Sequence, residues 1–218
     1  MVLGIYGAGG LGREVYVLSM QINNNQKQWS RIVFIDDADL GESIDGIEIF
    51  SFENFCTEFK TNEAKICIAI GEPVVRANLY KKAKTHAYQM ASLVHPSVFI
   101  PTSTRIGEGS IIFVGSFISC NVVIGENVLI QAHVNVGHDC IVDNDSVISG
   151  LVNIAGNCKI DHQTYIGLSA CIKENTRIGA NTIIGMGSVV VKDIPDNIVA
   201  FGNPAKQMKN NDKKRVFK

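Results

Sequence analysis

Two short stretches of this sequence carry residue types and spacings that suit chemistry. The first is Gly137-His138-Asp139, in which a histidine is followed directly by a carboxylate. An imidazole has an ordinary pKa of about 6.5, so it accepts and releases protons near neutral pH. His138 is therefore our candidate general base for a reaction that removes a proton from an attacking atom.

The second stretch is the glycine-rich segment from Gly7 to Gly12, which satisfies the pattern GxGxxG. It follows the apolar run 2–6 and opens a predicted helix that continues through Met20. Such a turn exposes backbone N–H groups and a helix N-terminus to phosphate oxygens, and an acidic pair, Asp36-Asp37, follows. A full dinucleotide fold needs two such halves, so this single half favours a mononucleotide or a diphosphate. A glycine turn that only packs a helix on a sheet stays open as the alternative.

The elements that must position these residues are of two kinds. The first 92 residues read as a small α/β domain, with strands at 2–6, 32–35 and 66–71, a helix from Pro73 to about His86, and a last strand at 91–94. We predict a Rossmann-like domain over residues 1–92, a repeat domain over 93–205 and a tail over 206–218.

The repeat domain places Ile or Val at every sixth position between residues 100 and 190, a period that neither an isolated helix nor a simple strand explains. This pattern resembles the hexapeptide repeat of the left-handed parallel β-helix, in which three hexapeptides form one coil. The sixteen aliphatic residues are Ile100, Ile106, Ile112, Ile118, Ile124, Ile130, Val136, Val142, Ile148, Ile154, Ile160, Ile166, Ile172, Ile178, Ile184 and Val190.

Composition excludes several classes of partner and site. The net charge is −1, so no electrostatic footprint for nucleic acid or an anionic membrane is present. We identify neither a secretory signal nor a membrane span, and we expect a cytoplasmic protein. The six cysteines form no CxxC pair, and Cys140 and Cys158 are expected to stack as buried thiols. No cluster has metal-ligand spacing, so we expect no metal.

The glycine turn, the Asp-Asp pair, the repeat with Gly137-His138-Asp139 and a closing Gly202-Asn203-Pro204-Ala205 together resemble the bacterial hexapeptide-repeat sugar acyltransferases. That family includes sialic acid O-acetyltransferases and N-acetyltransferases of nucleotide-linked 4-amino-4,6-dideoxy sugars. The resemblance implies a homotrimer with acetyl-CoA between neighbouring β-helices, His138 as the base and Asp139 as the residue that orients it.

The same resemblance implies binding residues for both substrates. The lysines expected to meet the CoA phosphates are Lys192 and Lys206, although solvated surface lysines are the alternative. The residues expected to bind the nucleotide sugar are Gly9, Gly10, Leu11, Gly12, Arg13, Asp36 or Asp37, and Gly71. Family members often carry His or Ser where Leu11 stands, so the resemblance there extends to backbone contacts only.

The eighteen-residue coil adds an inference about the site. Residues eighteen apart should stack, which gives the column Cys120, His138, Gly156 and Glu174. A glycine next to the base leaves space for a thioester and an amide to bind its carbonyl oxygen. The next column, Asn121, Asp139, Asn157 and Asn175, equally fits a structural turn ladder.

Three functions follow as hypotheses. The favoured one is acetyl-CoA-dependent N-acetylation of the 4-amino group of a UDP- or dTDP-linked deoxy sugar. The alternatives are O-acetylation of sialic acid or a related glycan precursor, and a non-catalytic β-helical protein that binds nucleotide sugars.

Overall fold

The computed structural model describes residues 1–217, so the predicted tail includes one residue, Lys218, that lies outside the described part. The N-terminal half is a six-stranded sheet in the order β3-β4-β2-β1-β5-β6. All neighbouring strands are parallel except the β3–β4 hairpin. The strands are β1 (Val2–Tyr6), β2 (Arg31–Ile35), β3 (Ser43–Ile44), β4 (Ile47–Phe50), β5 (Ala64–Ile68) and β6 (Gln89–Met90).

Three helices accompany this sheet: α1 (Gly10–Gln26), α2 (Phe52–Glu58) and α3 (Pro73–Thr85). The first and third correspond to predicted helices, although α1 runs further than Met20. The predicted last strand at 91–94 is wrong in part, because Met90 ends the N-terminal sheet and β7 (Leu93–Val94) pairs instead with the repeat.

The repeat forms a parallel β-helix of two-residue strands that lie on three faces. Each strand pairs with the strand eighteen residues later, as Val136 does with Ile154. The first face holds β7, β9 (Ile111–Ile112), β12 (Leu129–Ile130), β15 (Val147–Ile148), β18 (Tyr165–Ile166) and β21 (Ile183–Ile184). The second face holds β10 (Phe117–Ile118), β13 (Asn135–Val136), β16 (Asn153–Ile154), β19 (Cys171–Ile172) and β22 (Val189–Val190). The third face holds β8 (Arg105–Ile106), β11 (Val123–Ile124), β14 (Ile141–Val142), β17 (Lys159–Ile160) and β20 (Arg177–Ile178).

The core of the coils is the predicted aliphatic series, and most of its members are fully buried. Cys140 and Cys158 lie in the same core as free thiols, and the Cys158 N–H donates to Cys140 Sγ at 3.4 Å. The last coil ends in an antiparallel hairpin of β23 (Ile198–Gly202) and β24 (Ala205–Asn210), in which β23 extends the first face by pairing with β21.

The N-terminal domain packs on the first face of the β-helix. The outward side chains Ile111, Leu129 and Val147 are buried in one cluster with Leu3 and Val15. Burial of these apolar side chains removes their surface from water and holds the two halves together.

Arg76 of α3 adds a polar connection between the halves. It is 0% exposed, and its guanidinium donates to the carbonyl oxygens of Ile68 at the end of β5, of Ile70 after that strand, and of Asn127 in the coil. Burial lowers the pKa of Arg76 to about 10. The loop that follows β5 is therefore fixed to a corner of the β-helix.

The buried coil core gives a stability prediction. Ile148 is fully buried, so Ile148→Ala should lower the free energy of unfolding by about 2–5 kcal/mol through lost transfer energy and a cavity. Leu40→Ala, at an exposed loop residue, is the control and should change it by less than about 0.5 kcal/mol. Equal effects of the two substitutions in urea denaturation would contradict the packing described.

Candidate active site

His138 lies at the corner between β13 and β14, where the chain turns from the second face to the third. Its side chain is 57% exposed, and its Nδ1 is 2.7 Å from Asp139 Oδ2. When the carboxylate accepts the proton carried by Nδ1, the other ring nitrogen, Nε2, is left free to accept a proton. This geometry suits a general base.

Asp139 takes part in both arrangements considered from the sequence, the pairing with His138 and the ladder of turn residues. Its φ of 58° places it in the left-handed region, which Asn and Asp tolerate better than most residues, and its Oδ1 accepts from Asn121 Nδ2 at 3.0 Å. Hydrogen bonds from His138 and then from Asn121 lower the pKa of Asp139. One carboxylate thus joins the turn ladder through one oxygen and orients His138 through the other.

Gly156 lies on the next coil, against the imidazole. A Cβ atom at Gly156 would stand 2.5 Å from His138 Nε2, so the expected stacking is present and any side chain there would collide with the ring. Within residues 1–217 the Gly156 N–H donates to no protein acceptor. The free ring nitrogen therefore lies against a glycine whose N–H is unused within the described residues.

His133 is on a different corner, between β12 and β13, where its ring packs against Gly115. It does not share the space beside His138. The two predicted CoA lysines are also apart: Lys192 follows β22 at the corner that carries His138, whereas Lys206 lies on β24, paired with Phe201 at the edge of the first face. Within one chain they do not form a single cluster.

The glycine-rich turn lies at the carboxyl end of β1, and α1 begins at Gly10. Gly9 and Gly10 are exposed, and a Cβ on either would meet nothing within 4 Å, so a ligand can approach their backbone. Gly12 has another role, because a Cβ there would overlap the carbonyl oxygen of Gly7. The side chain of Arg13 is exposed and forms no ion pair with any other residue in the range 1–217.

The two residues of the acidic pair after β2 contact different parts of the domain. Asp36 Oδ2 accepts from the Ala8 N–H at 2.9 Å, which places this carboxylate beside the turn. Asp37 instead accepts from the Tyr6 hydroxyl, the Phe52 N–H and Lys82 Nζ. Both oxygens of Asp37 are therefore used within the domain. The same holds for Asp36, whose Oδ1 accepts from the Ala38 N–H at 3.0 Å, so these contacts do not decide which of the two carboxylates faces a nucleoside.

These contacts shift the pKa values of Asp37 and Tyr6. Partial burial would raise the pKa of Asp37, but hydrogen bonds from Tyr6, the Phe52 N–H and Lys82 outweigh it and the pKa is lowered. Burial, followed by the hydrogen bond to Asp37, raises the pKa of Tyr6 to about 12.

Gly71 follows β5, the strand beside β1, and so lies at the same sheet edge as the turn. A Cβ at Gly71 would be 3.9 Å from Leu11 Cδ2 and 3.8 Å from Phe217 Cε2. Phe217 was not anticipated from the sequence, because no local pattern links residue 217 to residue 71.

The phosphate-type turn and His138 are not brought together within one chain. The N-terminal domain covers the first face, whereas His138 occupies the corner between the second and third faces, which is opposite. In the part of the chain that the structure describes, no group of three or more His, Cys, Asp or Glu could hold a metal ion. None of the helices described is long and apolar enough to cross a bilayer.

Comparisons with known proteins agree with this architecture. Residues 2–83 match the family model described as the PglD N-terminal domain. The GDP-perosamine N-acetyltransferase of Escherichia coli O157:H7 is 32% identical over 112 residues, which are 50% of this chain and 49% of that enzyme. The match thus spans about half the length of that curated relative.

Solved structures match over nearly the whole chain. The acetyltransferase domain of PglB from Neisseria gonorrhoeae FA1090, in complex with acetyl coenzyme A, is 29% identical with a TM-score of 0.88; the match covers 95% of this chain and 98% of that one. A histidine-to-asparagine variant of perosamine N-acetyltransferase from Caulobacter crescentus, in complex with CoA and GDP-perosamine, is 26% identical with a TM-score of 0.88, covering 96% and 98%. These findings confirm the fold and the resemblance to the hexapeptide-repeat sugar acyltransferases.

The lowered pKa of Asp37 gives a pH-dependent stability prediction. A carboxyl whose pKa is depressed in the folded state stabilises it above its unfolded pKa of about 3.9, and this stabilisation is lost as the pH falls through the folded value. Asp37→Asn should therefore cost under about 1 kcal/mol near pH 7, since the side chain is half exposed, and the difference from wild type should shrink below about pH 4.

The matched control is Asp39→Asn, at an exposed loop residue nearby, which should leave stability unchanged throughout. Chemical denaturation at a series of pH values makes the comparison. A deficit for Asp37→Asn that is the same at every pH would show that its charge is not used as described.

Proposed function

We propose that this protein is an acetyl-CoA-dependent N-acetyltransferase that acts on the 4-amino group of a nucleotide-linked amino-deoxy sugar. The observation that carries the proposal is the position of His138 Nε2 against Gly156 of the adjacent coil, with Asp139 holding the opposite ring nitrogen. A candidate general base, a carboxylate that orients its ring and a glycine with an unused amide lie together at one corner, as acyl transfer requires.

Each group has a role in the proposed reaction. The sugar amine forms the new C–N bond at the thioester carbonyl while His138 Nε2 accepts its proton. The Gly156 N–H stabilises the negative charge that develops on the carbonyl oxygen. The C–S bond then breaks, and the proton passes from His138 to the departing thiolate. Asp139 keeps the imidazole oriented and stabilises its protonated form.

The N-terminal domain supports the proposed acceptor. Exposed backbone at Gly9 and Gly10, followed by the N-terminus of α1, suits the diphosphate of a nucleotide sugar. Asp36, beside the turn, is our candidate for the nucleoside side. The relatives named for perosamine N-acetylation support an amine acceptor over a hydroxyl, and they favour testing GDP beside the UDP and dTDP carriers.

We further propose a homotrimer with the acetyl-CoA site between subunits. Two features of the single chain support it: His138 and the glycine turn are on opposite sides of the β-helix, and Lys192 and Lys206 are at different corners. A partner β-helix packed beside the His138 corner would bring such separated elements to one substrate pair.

The direct test is acetyl transfer to a panel of UDP-, dTDP- and GDP-linked 4-amino sugars, followed by release of the CoA thiol. Wild type should turn over at least one of them, and His138→Ala should lower kcat by about 10²–10⁴-fold, the usual contribution of a general base. His162→Ala, at another exposed position of the coils, is the matched control and should retain activity. Turnover of sialic acid or its CMP derivative alone would favour O-acetylation, and full activity of His138→Ala would reject the base.

A second prediction concerns the space beside the imidazole. Gly156→Ala should displace the His138 ring, because the new methyl would stand only 2.5 Å from Nε2. We expect kcat to fall by about 10²-fold, as a misplaced catalytic group commonly gives, with little loss of stability because the exposed ring can move. Activity equal to wild type would show that the ring position is not required.

A further inference from the structure

The segment from Asn211 to Phe217, here called the strap, runs from the last coil back to the N-terminal domain. Its first residue is anchored in the coil: Asn211 is 7% exposed, its N–H donates to Asn197 O at 2.7 Å, and its Nδ2 donates to Asn181 O at 2.8 Å. Asn211 Oδ1 in turn accepts from the Arg215 N–H, which shapes the following turn.

The far end of the strap is held by Glu72. This carboxylate accepts from the Val216 N–H at 2.9 and 3.0 Å and from the Phe217 N–H at 3.0 Å. Glu72 is the N-cap residue of α3, yet its side chain makes no capping hydrogen bond. A charge that could cap a helix is instead used to fix two backbone amides of the strap.

The contacts of Glu72 place the Phe217 ring at the edge of the proposed nucleotide-sugar site. The ring packs edge-on against Tyr165, with centroids 5.6 Å apart, and its Cε2 is 3.8 Å from the position of a Cβ at Gly71. Leu11 borders Gly71 from the glycine-rich turn. Because Phe217 is still 51% exposed, half of an apolar ring is open to a ligand beside that turn.

The order of the strands indicates which part of the substrate meets this ring. β1 lies between β2 and β5, so a diphosphate held over the β1 turn has Asp36 on one side and Gly71 on the other. If the nucleoside lies on the Asp36 side, the sugar lies on the side of Gly71 and Phe217. An aromatic ring with Leu11 beside it offers apolar surface, which suits the C–H face and deoxy carbon of a deoxy sugar.

We infer that the strap forms a wall of the acceptor pocket and that Phe217 is a specificity-determining residue that packs on the sugar ring. This inference rests on the function proposed above. Glu72 is a positioning residue, since it acts only by holding the strap.

The test compares Phe217→Ala and Glu72→Gln with wild type and with Met208→Ala, a control at an exposed residue of β24. For Phe217→Ala we expect the KM for the nucleotide amino sugar to rise about tenfold, the effect of losing about 1.4 kcal/mol of binding energy. Glu72→Gln should also raise the KM for the nucleotide amino sugar, but by less than Phe217→Ala does. The KM for acetyl-CoA and the affinity for the free nucleoside diphosphate, which lacks the sugar, should stay unchanged.

The free diphosphate separates a lost sugar contact from a general disturbance. If Phe217→Ala lost affinity for the free diphosphate to the same extent, the contact of Phe217 with the sugar would be rejected. If its KM for the nucleotide sugar were unchanged or lowered, the inference that the strap forms a wall of the pocket would be rejected. Turnover by wild type would still support the proposed function in that case. If wild type acetylates none of the nucleotide amino sugars, the proposed function and the role of Phe217 are both rejected.

Discussion

The eighteen-residue register of the β-helix is the constraint on which the rest of the structure depends. Each two-residue strand is too short to be stable alone and hydrogen-bonds to the strand one coil before and one coil after it. Since no coil departs from this register between β8 and β22, residues of these coils lie beside the residues eighteen positions away in the sequence. The contact between His138 and Gly156 is one such pair.

The corners show how the fold and the chemistry share residues. Each corner contains one residue with a left-handed backbone conformation, and these residues recur at every sixth position in eleven successive hexapeptides from Asn121 to Asn181. Asn or Asp occupies most of these positions. Asp139 satisfies this backbone requirement and also orients His138. Gly156 is required for a different reason: its φ is not positive, and the absence of a side chain leaves room for the imidazole. The proposed site therefore needs only two departures from an ordinary corner, a histidine and a glycine.

Much of this architecture could be predicted from the sequence because its causes are local and periodic. The hexapeptide pattern gave the β-helix, and the spacing of eighteen gave the stacking of Gly156 on His138 and of Cys158 on Cys140. What the sequence did not show depends on contacts between distant segments: the buried Arg76 between the halves, the use of Asp37 by Tyr6 and Lys82, and the strap held by Glu72. The short elements β3, β4, β6 and α2 were also missed, since each is too brief for a clear period. The domain limits, the trimer, the cytoplasmic location and the roles of the site residues stay predictions.

The most direct measurement is a crystal structure of the protein with CoA and a nucleotide-linked amino sugar. We predict the CoA sulfur and the sugar amine at the His138 corner, with the amine within about 3.5 Å of Nε2, as a near-attack arrangement requires. CoA should lie between two subunits, and the diphosphate should lie at Gly9 and Gly10. A thiol bound at any other corner, or an amine separated from His138 by a protein side chain, would contradict the assignment of this corner as the acetyl-transfer site.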